Sequence, residues 1–356
     1  YTYQAMRAFW KSAEYDPLNP KLITLKEGLS NALGKSVQIE HERGCDWSEP
    51  LEAKINKDGF GDDRIGRLKL LTVKGLPQPD FQNAIKIAKE SDLIIAAVGE
   101  NISLNGEGRW RNGIGLPGEQ EAFVEALLAI GKPVVLVLFG GRQQVIDKLE
   151  GRCAAIINAW FPGEEGGNAI ADVLTGKVNP SGKLCVTYPN SQIEEEVNYQ
   201  NGYDKFNYPL YPFGFGLSYT SYKYSDLKIK KEANLTDDRF PVSFYLENTG
   251  ENDGTEIVQL YVSPVDNKAT IKPIQLKGFQ RVFLKSGEKK KVTFNVSPQQ
   301  LVQYKNQKWI VEADSYCFKI GASCTDIRLQ GNIKVEGKDL ILENGRQVFF
   351  TENTIN

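Results

Sequence analysis

The chain has 356 residues, of which 41% are hydrophobic and 25% charged, a composition typical of a globular protein with about two domains. The formal net charge of −2 gives no reason to expect nucleic acid or an anionic membrane surface as a partner. The longest apolar runs, LIIAAVG and PVVLVLFG, are far shorter than the about 20 residues of a bilayer span, so membrane insertion is not predicted.

The content of histidine and cysteine limits the chemistry that the chain can perform. There is one histidine, and the five cysteines are scattered without a CxxC pair, so we predict no metal site. No GxGxxG or Walker pattern is present, so no cofactor is predicted either. The single histidine, His41, lies in VQIEHERG, which predicts a strand, and this disfavours Ser-His-Asp and Cys-His schemes. Acid/base chemistry here would rest on carboxylates.

The first half of the chain alternates helix and strand signals. LITLKEGLSNALG, DFQNAIKIAKES, GEQEAFVEALLAIG and GNAIADVLTG have helical spacing, with Gly34 closing the first helix and Asp80 capping the second, and SVQIE predicts a short strand after the first helix. DLIIAAVG, KPVVLVLFG and AAIINAWFPG are apolar, as parallel strands covered on both faces should be. This order predicts an open, mostly parallel α/β sheet between helices, a three-layer α/β/α sandwich.

The pattern changes near Asn190. Residues 191–224, which include YPLYPFGFGLSYTSYKY, are dense in Tyr, Phe, Gly and Pro and predict an aromatic-anchored linker. Residues 225–335 contain short alternating segments at regular spacing, which predict an all-β antiparallel sandwich of immunoglobulin-like architecture. Residues 336–356 are expected to form a tail that adds a strand or frays.

The stretch NGEGRW, directly after the strand LIIAAV, contains the main candidate for chemistry, Glu107. Ligands of open parallel sheets bind outside the carboxyl ends of the strands, and the connection that carries Glu107 is longer than usual. Glycines on both sides let the backbone turn and approach a ligand. Arg109 and Arg111 are placed to orient the carboxylate, and Trp110 to stack on a sugar. The same pattern is also typical of a solvated turn.

Other polar residues follow the ends of the same group of strands. Glu100 closes the first strand and is either a structural carboxylate or the second member of a pair, so it is the reserve candidate. Arg142 follows FGG after the second strand, on the expected ligand side. Glu164 and Glu165, in FPGEEGG after the third strand, have a structural interpretation as well, because carboxylates are favourable at the positive end of a helix.

Three motifs, PSGKL, YPFGFGLSYT and QLKGFQRVFLKSGE, occur in this order and form a specific combination. Together with AAVGE, GEG, LPGEQEAFVEAL, GKPVVLVLFGGR and AWFPGEEGGNAIADVLTG, they resemble family 3 glycoside hydrolases, the β-glucosidase and β-xylosidase group. The resemblance runs from about Leu22 to Val335. It covers the α/β sandwich domain of that family and the fibronectin type III-like domain that follows it.

The resemblance implies a domain organisation. Residues 1–21 would be a linker from a missing N-terminal domain, 22–190 the α/β sandwich domain with the acid/base loop, 191–224 the linker, 225–335 the fibronectin type III-like sandwich and 336–356 the tail. The chain opens without an initiator Met or a signal peptide, which predicts a processed product, a fragment or a shortened chain. The family resemblance favours a periplasmic or secreted location over a cytoplasmic one.

The resemblance also implies a split active site. In the family, an N-terminal (β/α)8 barrel supplies an Asp nucleophile, and a loop of the α/β domain supplies the general acid/base Glu, whose position matches Glu107. Arg111 matches a family Arg, and Trp110 stands where many members have an acidic residue. The implied substrate is a β-linked oligosaccharide or glycoside, cleaved with retention at its terminal non-reducing sugar. We find no nucleophile in this chain, so we expect it to be inactive without the barrel.

Two other classes of function are compatible with the residues. A noncatalytic carbohydrate-binding or scaffold module would use the aromatic linker and the β-sandwich as binding surfaces. A nucleotide-binding regulator of flavodoxin-like fold has less support, because no phosphate loop is present.

Overall fold

The computed structural model describes residues 23–45, 79–100, 104, 113–191, 208–265, 274–349 and 351–356. The chain divides into two compact units, Tyr1–Lys177 and Val178–Asn356. The described part of the first unit forms the elements α1 Leu25–Leu33, α2 Phe81–Glu90, β1 Ile94–Gly99, α3 Gln120–Leu128, β2 Val134–Phe139, α4 Asp147–Glu150, β3 Ala155–Trp160 and α5 Gly166–Leu174. Within the described residues, no helix has the length and apolarity needed to cross a membrane.

The first unit is built on a parallel sheet of strand order β1-β2-β3. Ile94 is opposite Val134, and Val135 is opposite Ala155. On one face, Val135 and Val137 pack with Ile170 of α5. The helix α3 contacts β1. The central strand β2 is buried along nearly its whole length, which explains its continuous apolar sequence. The predicted open parallel α/β sheet is confirmed.

Local signals at the helix ends agree with the sequence. Thr24 and Glu27 form a capping box at the start of α1, with the Thr24 N–H donating to Glu27 Oε2 at 2.8 Å. Asp80 caps α2 by accepting the Asn83 N–H at 2.9 Å. These side chains satisfy N–H groups that lack partners in the first turn. The second helix begins directly after Asp80, as predicted, and the first begins at Leu25, inside the predicted segment LITLKEGLSNALG.

One predicted element does not form. Residues 36–40, the segment SVQIE, contain bends and residues without regular structure but no strand. The Gln38 side chain donates instead to Glu40 Oε1 at 2.6 Å. An alternating pattern gives a segment the propensity for a strand, but a strand also needs a neighbour, and this segment pairs with none in the described part of the chain.

Apart from one 3-10 helix, the regular elements described in the second unit are β-strands. Its strands are β4 Tyr222–Ile229, β5 Glu232–Asn234, β6 Phe240–Asn248, β7 Gly254–Pro264, β8 Gln275–Leu284, β9 Lys289–Val296, β10 Gln303–Lys305, β11 Lys308–Val311, β12 Ser315–Gly321, β13 Ile327–Glu336, β14 Leu340–Ile341 and β15 Glu352–Ile355, and a 3-10 helix spans Pro298–Leu301. They form sheets of order β5-β13-β12-β7-β8, β15-β9-β6-β4 and β10-β11-β14.

The two larger sheets share one core. Phe244 of β6 and Phe294 of β9 lie in the same buried cluster as Leu260 of β7 and Phe318 of β12. In β6, β9 and β12 these residues alternate with more exposed positions, as a sandwich with one buried and one outer face per sheet requires. β7 is buried along nearly its whole length. The predicted all-β, fibronectin type III-like sandwich is confirmed, and the C-terminal stretch adds the strand β15 to β9.

Candidate functional site

The three strands of the first unit end side by side. β1 ends at Gly99, β2 at Phe139 and β3 at Trp160, and Phe139 is in register with both of the other residues. Because the strands are parallel, their carboxyl ends form one edge of the sheet, which is where open α/β sheets bind ligands. We refer to this set of three strand ends and the residues that follow them as the carboxyl edge.

Gly99 is held in an unusual backbone conformation at the carboxyl edge. Its φ is +129°, and a Cβ at this position would lie 1.9 Å from the Phe139 carbonyl oxygen. The side chain of Gln120, which is 1% exposed, accepts the Gly99 N–H at 2.6 Å and donates to the Gly99 carbonyl at 3.0 Å. The end of β1 is therefore fixed by a buried amide as well as by the sheet.

Glu100, the first residue after β1, is a buried carboxylate with a cationic partner. Its N–H donates to the Phe139 carbonyl at 2.8 Å, which extends the sheet ladder by one bond. Its side chain is 0% exposed, and Oε2 lies 3.0 Å from Nε of Arg142. A buried charge is tolerated when it is paired and hydrogen-bonded, so the ion pair accounts for the presence of Glu100 at this position.

The same Arg142 side chain also contacts the loop that follows β1. One of its terminal nitrogens donates to the carbonyl of Leu104 at 2.7 Å. A guanidinium presents several N–H donors in a fixed plane. Arg142 therefore contacts the Glu100 carboxylate and the Leu104 carbonyl at the same time. Leu104 precedes Glu107 by three residues. The start of the loop that contains Glu107 is thus tied to the carboxyl edge.

Two buried polar atoms near the carboxyl edge lack a hydrogen-bond partner in the described part of the chain. Gln144 is 1% exposed, and its Nε2 donates to the Phe139 carbonyl at 3.1 Å while its Oε1 is unpaired. Asn158, on β3, has an unpaired Nδ2. An unpaired buried polar atom costs about 1–3 kcal/mol, so this edge is suited to receive further polar groups.

The end of β3 has a strained backbone. Trp160 has a φ of +49°, which is uncommon for a residue with a side chain, and the pairing of β2 with β3 shifts register next to it. Strained residues of this kind cluster at functional sites. Glu165 follows at the N-terminal end of α5, where it accepts a hydrogen bond from Asn168 at 2.7 Å, in agreement with its structural interpretation.

The structure places only some of the predicted site residues. Glu107, Arg109, Trp110 and Arg111 lie outside the described residues. Of the predicted set, the described part brings together Glu100 and Arg142, and Gln120, Gln144 and Asn158 join them without having been singled out by the sequence analysis. The available signal for Asn158 was an amide inside the apolar strand AIINAW.

Comparisons with known proteins agree with this architecture, in which an α/β sandwich with a polar carboxyl edge is followed by an immunoglobulin-like sandwich. The family model described as "Glycosyl hydrolase family 3 C-terminal domain" matches residues 5–219, and the model described as "Fibronectin type III-like domain" matches residues 256–324. The chain therefore belongs to glycosyl hydrolase family 3.

Individual relatives are similar over most of this chain. The periplasmic β-glucosidase of Salmonella typhimurium is 33% identical over 335 residues, which cover 88% of this chain and 42% of that protein. A β-xylosidase of Formosa agariphila is 33% identical over 87% of this chain and 41% of its own length. The structure of a β-glucosidase from Erythrobacter marinus matches with a TM-score of 0.72 and 31% identity over 88% of this chain and 43% of that one. This chain spans about two fifths of the length of these relatives.

Proposed function

We propose that this chain is the C-terminal part of a retaining β-glucosidase and that it supplies the general acid/base, Glu107. The observation that carries the proposal is the contact between Arg142 and the Leu104 carbonyl, which ties the start of the Glu107 loop to the carboxyl edge of the sheet. Membership of family 3 and the names of the relatives, β-glucosidase and β-xylosidase, support the reaction class.

In the proposed reaction, Glu107 acts twice. It first donates a proton to the glycosidic oxygen as the leaving group departs, while an Asp carboxylate attacks the anomeric carbon and forms a glycosyl-enzyme. It then takes a proton from the water that hydrolyses this intermediate. A retaining enzyme needs its two carboxyl groups about 5–5.5 Å apart. The Asp belongs to a (β/α)8 barrel domain outside this chain, which is therefore the partner that completes the site.

The environment of Glu100 supports Glu107 as the acid/base rather than the reserve candidate. An acid/base carboxyl must come within hydrogen-bond reach of the glycosidic oxygen. The Glu100 side chain is fully buried and its charge is engaged by Arg142, so it is suited to position the loop instead. Arg109 and Arg111 would orient the Glu107 carboxylate and the substrate, and Trp110 would stack on the sugar ring.

The remaining parts of the proposal rest on the family. The domain limits are those implied by the resemblance, with residues 22–190 as the α/β sandwich domain and 225–335 as the fibronectin type III-like domain. The substrate is a β-linked oligosaccharide or glycoside, cleaved at its terminal non-reducing sugar. A relative is named a periplasmic enzyme, which supports a periplasmic or secreted location.

The test compares Glu107→Gln with Glu100→Gln in the polypeptide that joins this chain to its barrel domain. We expect Glu107→Gln to reduce kcat/KM for cellobiose far more than kcat/KM for an aryl β-glucoside, because kcat/KM reports the step that forms the glycosyl-enzyme and a good leaving group departs in that step without a proton. Glu100→Gln keeps Glu107 and weakens only the contact that positions its loop, so its loss on cellobiose should be much smaller than that of Glu107→Gln. Equal losses for Glu107→Gln on the two substrates would contradict the acid role. The 356-residue chain by itself should release no p-nitrophenol from an aryl β-glucoside.

A further inference from the structure

A short hairpin of the second unit displays two aromatic side chains on its surface. Its strands, β10 and β11, are joined by Asn306 and Gln307, whose φ values of +48° and +62° are typical of a two-residue type I′ turn. Tyr304 and Trp309 are directly opposite each other in the register. Their ring centroids are 4.9 Å apart with an angle of 55° between the planes, and the residues are 60% and 42% exposed.

The polar tips of both rings are available to a ligand. Neither the Tyr304 hydroxyl nor the Trp309 indole N–H has a hydrogen-bond partner in the described part of the chain. Tyr and Trp combine an apolar ring with a polar tip, and this combination is enriched at binding interfaces. A pair of contacting rings with free polar tips therefore presents two apolar faces and two hydrogen-bonding groups together.

The hairpin holds the two rings in place. Val311, two residues after Trp309, is 0% exposed and lies in the sandwich core. The Trp309 carbonyl accepts the Leu342 N–H at 2.9 Å, where β14 pairs with β11. A Cβ on Gly345 would lie 3.6 Å from the Trp309 indole nitrogen, so this backbone lies directly against the ring. The aromatic pair is supported by strands rather than by a flexible loop, which lowers the entropic cost of binding.

We propose that Tyr304 and Trp309 form a second, noncatalytic sugar-binding site, which takes soluble β-linked glucan chains. A β-linked pyranose has an apolar face of C–H groups and a rim of hydroxyls. The aromatic ring faces can stack on the apolar C–H face of the sugar, and the indole N–H and phenol O–H can form hydrogen bonds with its hydroxyls. The Lys305 ammonium, next to Tyr304, is already paired with Glu312 at 2.6 Å.

The size of the aromatic pair favours a sugar over a protein partner. From the exposed fractions, the two rings present roughly 200 Å². A stable protein interface buries about 800 Å² on each partner, whereas one or two sugar residues cover an area of the size available here. The 55° angle between the rings excludes simultaneous stacking on a flat surface. The site should therefore bind a soluble, curved chain and not crystalline cellulose.

The probe for this site is a soluble mixed-linkage β-glucan, incorporated in a native gel through which the 356-residue chain migrates. We expect the wild-type chain to be retarded. Tyr304→Ala and Trp309→Ala should each weaken binding by about tenfold, the loss expected when one aromatic contact is removed. Phe283→Ala is the matched control, because Phe283 is 51% exposed on a different strand and should leave retardation unchanged.

Two further measurements separate a binding defect from a folding defect. The thermal unfolding midpoint of each variant shows whether the sandwich is intact. In the wild-type chain, a glucan hexasaccharide should shift the tryptophan fluorescence, and Trp309→Phe, which keeps an aromatic ring, should abolish the shift while retaining part of the retardation. A folded double variant, Tyr304→Ala with Trp309→Ala, that is still retarded like wild type would overturn the proposal. So would a wild-type chain that is not retarded, or one that binds crystalline cellulose.

The outcome is independent of the proposed catalytic role. Hydrolysis of an aryl β-glucoside by the longer polypeptide should be unchanged in Tyr304→Ala and Trp309→Ala, since a monosaccharide glycoside needs no second site. If the Glu107 tests failed, the proposal that Tyr304 and Trp309 bind glucan would not be affected. Failure of the retardation test would leave the acid/base assignment untouched.

Discussion

Lys183 and Glu256 form an ion pair in the interior of the second unit, with 3.2 Å between Nζ and Oε1 and side chains that are 12% and 5% exposed. Lys183 also donates to the Gly216 carbonyl at 2.9 Å, and the Tyr224 hydroxyl donates to Glu256 Oε1 at 3.2 Å. Lys183 and Gly216 precede the sandwich in the chain, whereas Tyr224 and Glu256 lie on β4 and β7. The pair therefore fixes the segments that lead into the sandwich against its strands.

Replacing Lys183 with Met should strongly destabilise the second unit. The substitution leaves the Glu256 carboxylate buried without its cation, which typically costs about 3–5 kcal/mol. The measurement is urea unfolding of the 356-residue chain, followed by circular dichroism. The double variant Lys183→Met with Glu256→Gln removes both charges and should recover most of this loss. A single variant as stable as wild type would show that the pair contributes nothing.

The effect of Lys183→Met should depend on pH in a defined direction. Burial raises the pKa of Glu256 above its ordinary value of 4.5, and the charge of Lys183 opposes this rise. A carboxyl group whose pKa is raised in the folded state favours folding while it is protonated, and this contribution is lost as pH rises through the folded-state pKa. Removing Lys183 raises the pKa of Glu256 further. The stability gap between wild type and Lys183→Met should therefore narrow as pH falls from 7 towards 4.5.

The same pH series in the double variant provides the control. With Gln at position 256, the double variant has no carboxyl group that titrates at this site. The difference in free energy of unfolding between wild type and the double variant should therefore not narrow towards acid pH as it does for Lys183→Met. A gap for the single variant that stayed constant, or widened towards acid pH, would contradict a buried Glu256 with a raised pKa.

Arg142→Lys should lower kcat in the polypeptide that includes the barrel domain. A lysine keeps the charge, but one ammonium cannot reproduce the planar contacts to both Glu100 and Leu104. Displacement of the loop start should reduce kcat by about 10- to 100-fold with little change in KM. If Glu107 is the acid, as proposed, the loss should be greater for substrates with poor leaving groups, because proton donation is then the affected step.

An exposed arginine of the same unit offers a matched control. Arg152 is 48% exposed and lies 3.8 Å from Glu125, so Arg152→Lys should leave kcat unchanged. If Arg142→Lys reduced kcat equally for good and poor leaving groups, Arg142 would be a structural residue and not one that positions the acid/base.

The elements that follow from local chemistry were predictable. Thr24 and Asp80 carry cap side chains, and the apolar sequence of β2 reflects a strand buried on both faces. The equally apolar β1 lies at an edge of the described sheet, and its Ala97 is exposed, so coverage of both its faces was predicted wrongly. The segment SVQIE was predicted wrongly because strand formation depends on a neighbour that the local pattern does not specify. The four-residue helix α4 was not predicted, since one turn is too short to show a helical period.

The contacts of the candidate site were predictable only in part. The order of strands and helices placed Glu100 and Arg142 at the carboxyl edge. Their pairing was not predictable, because strand order gives the edge but not which carboxylate meets which cation. Arg142 and Leu104 are 38 residues apart, and the fold alone brings them together. The roles of Glu107 and of its neighbours stem from the family resemblance and stay predictions.

A comparison of Gly99 with Gly131 distinguishes the cost of a positive φ from the cost of a steric clash with a new Cβ. Both have positive φ values, +129° and +82°, but a Cβ on Gly99 would lie 1.9 Å from the Phe139 carbonyl oxygen, whereas nothing lies within 4 Å of a Cβ on Gly131. Gly131→Ala should cost about 1–2 kcal/mol, from conformational strain. Gly99→Ala should cost about 3 kcal/mol or more, because β1 must also move away from β2 at the residue before Glu100. Urea unfolding measures both costs, and aryl glucoside hydrolysis by the longer polypeptide should fall only for Gly99→Ala. Equal costs for the two variants would mean that the close approach of Gly99 to Phe139 is not needed to hold the carboxyl edge together.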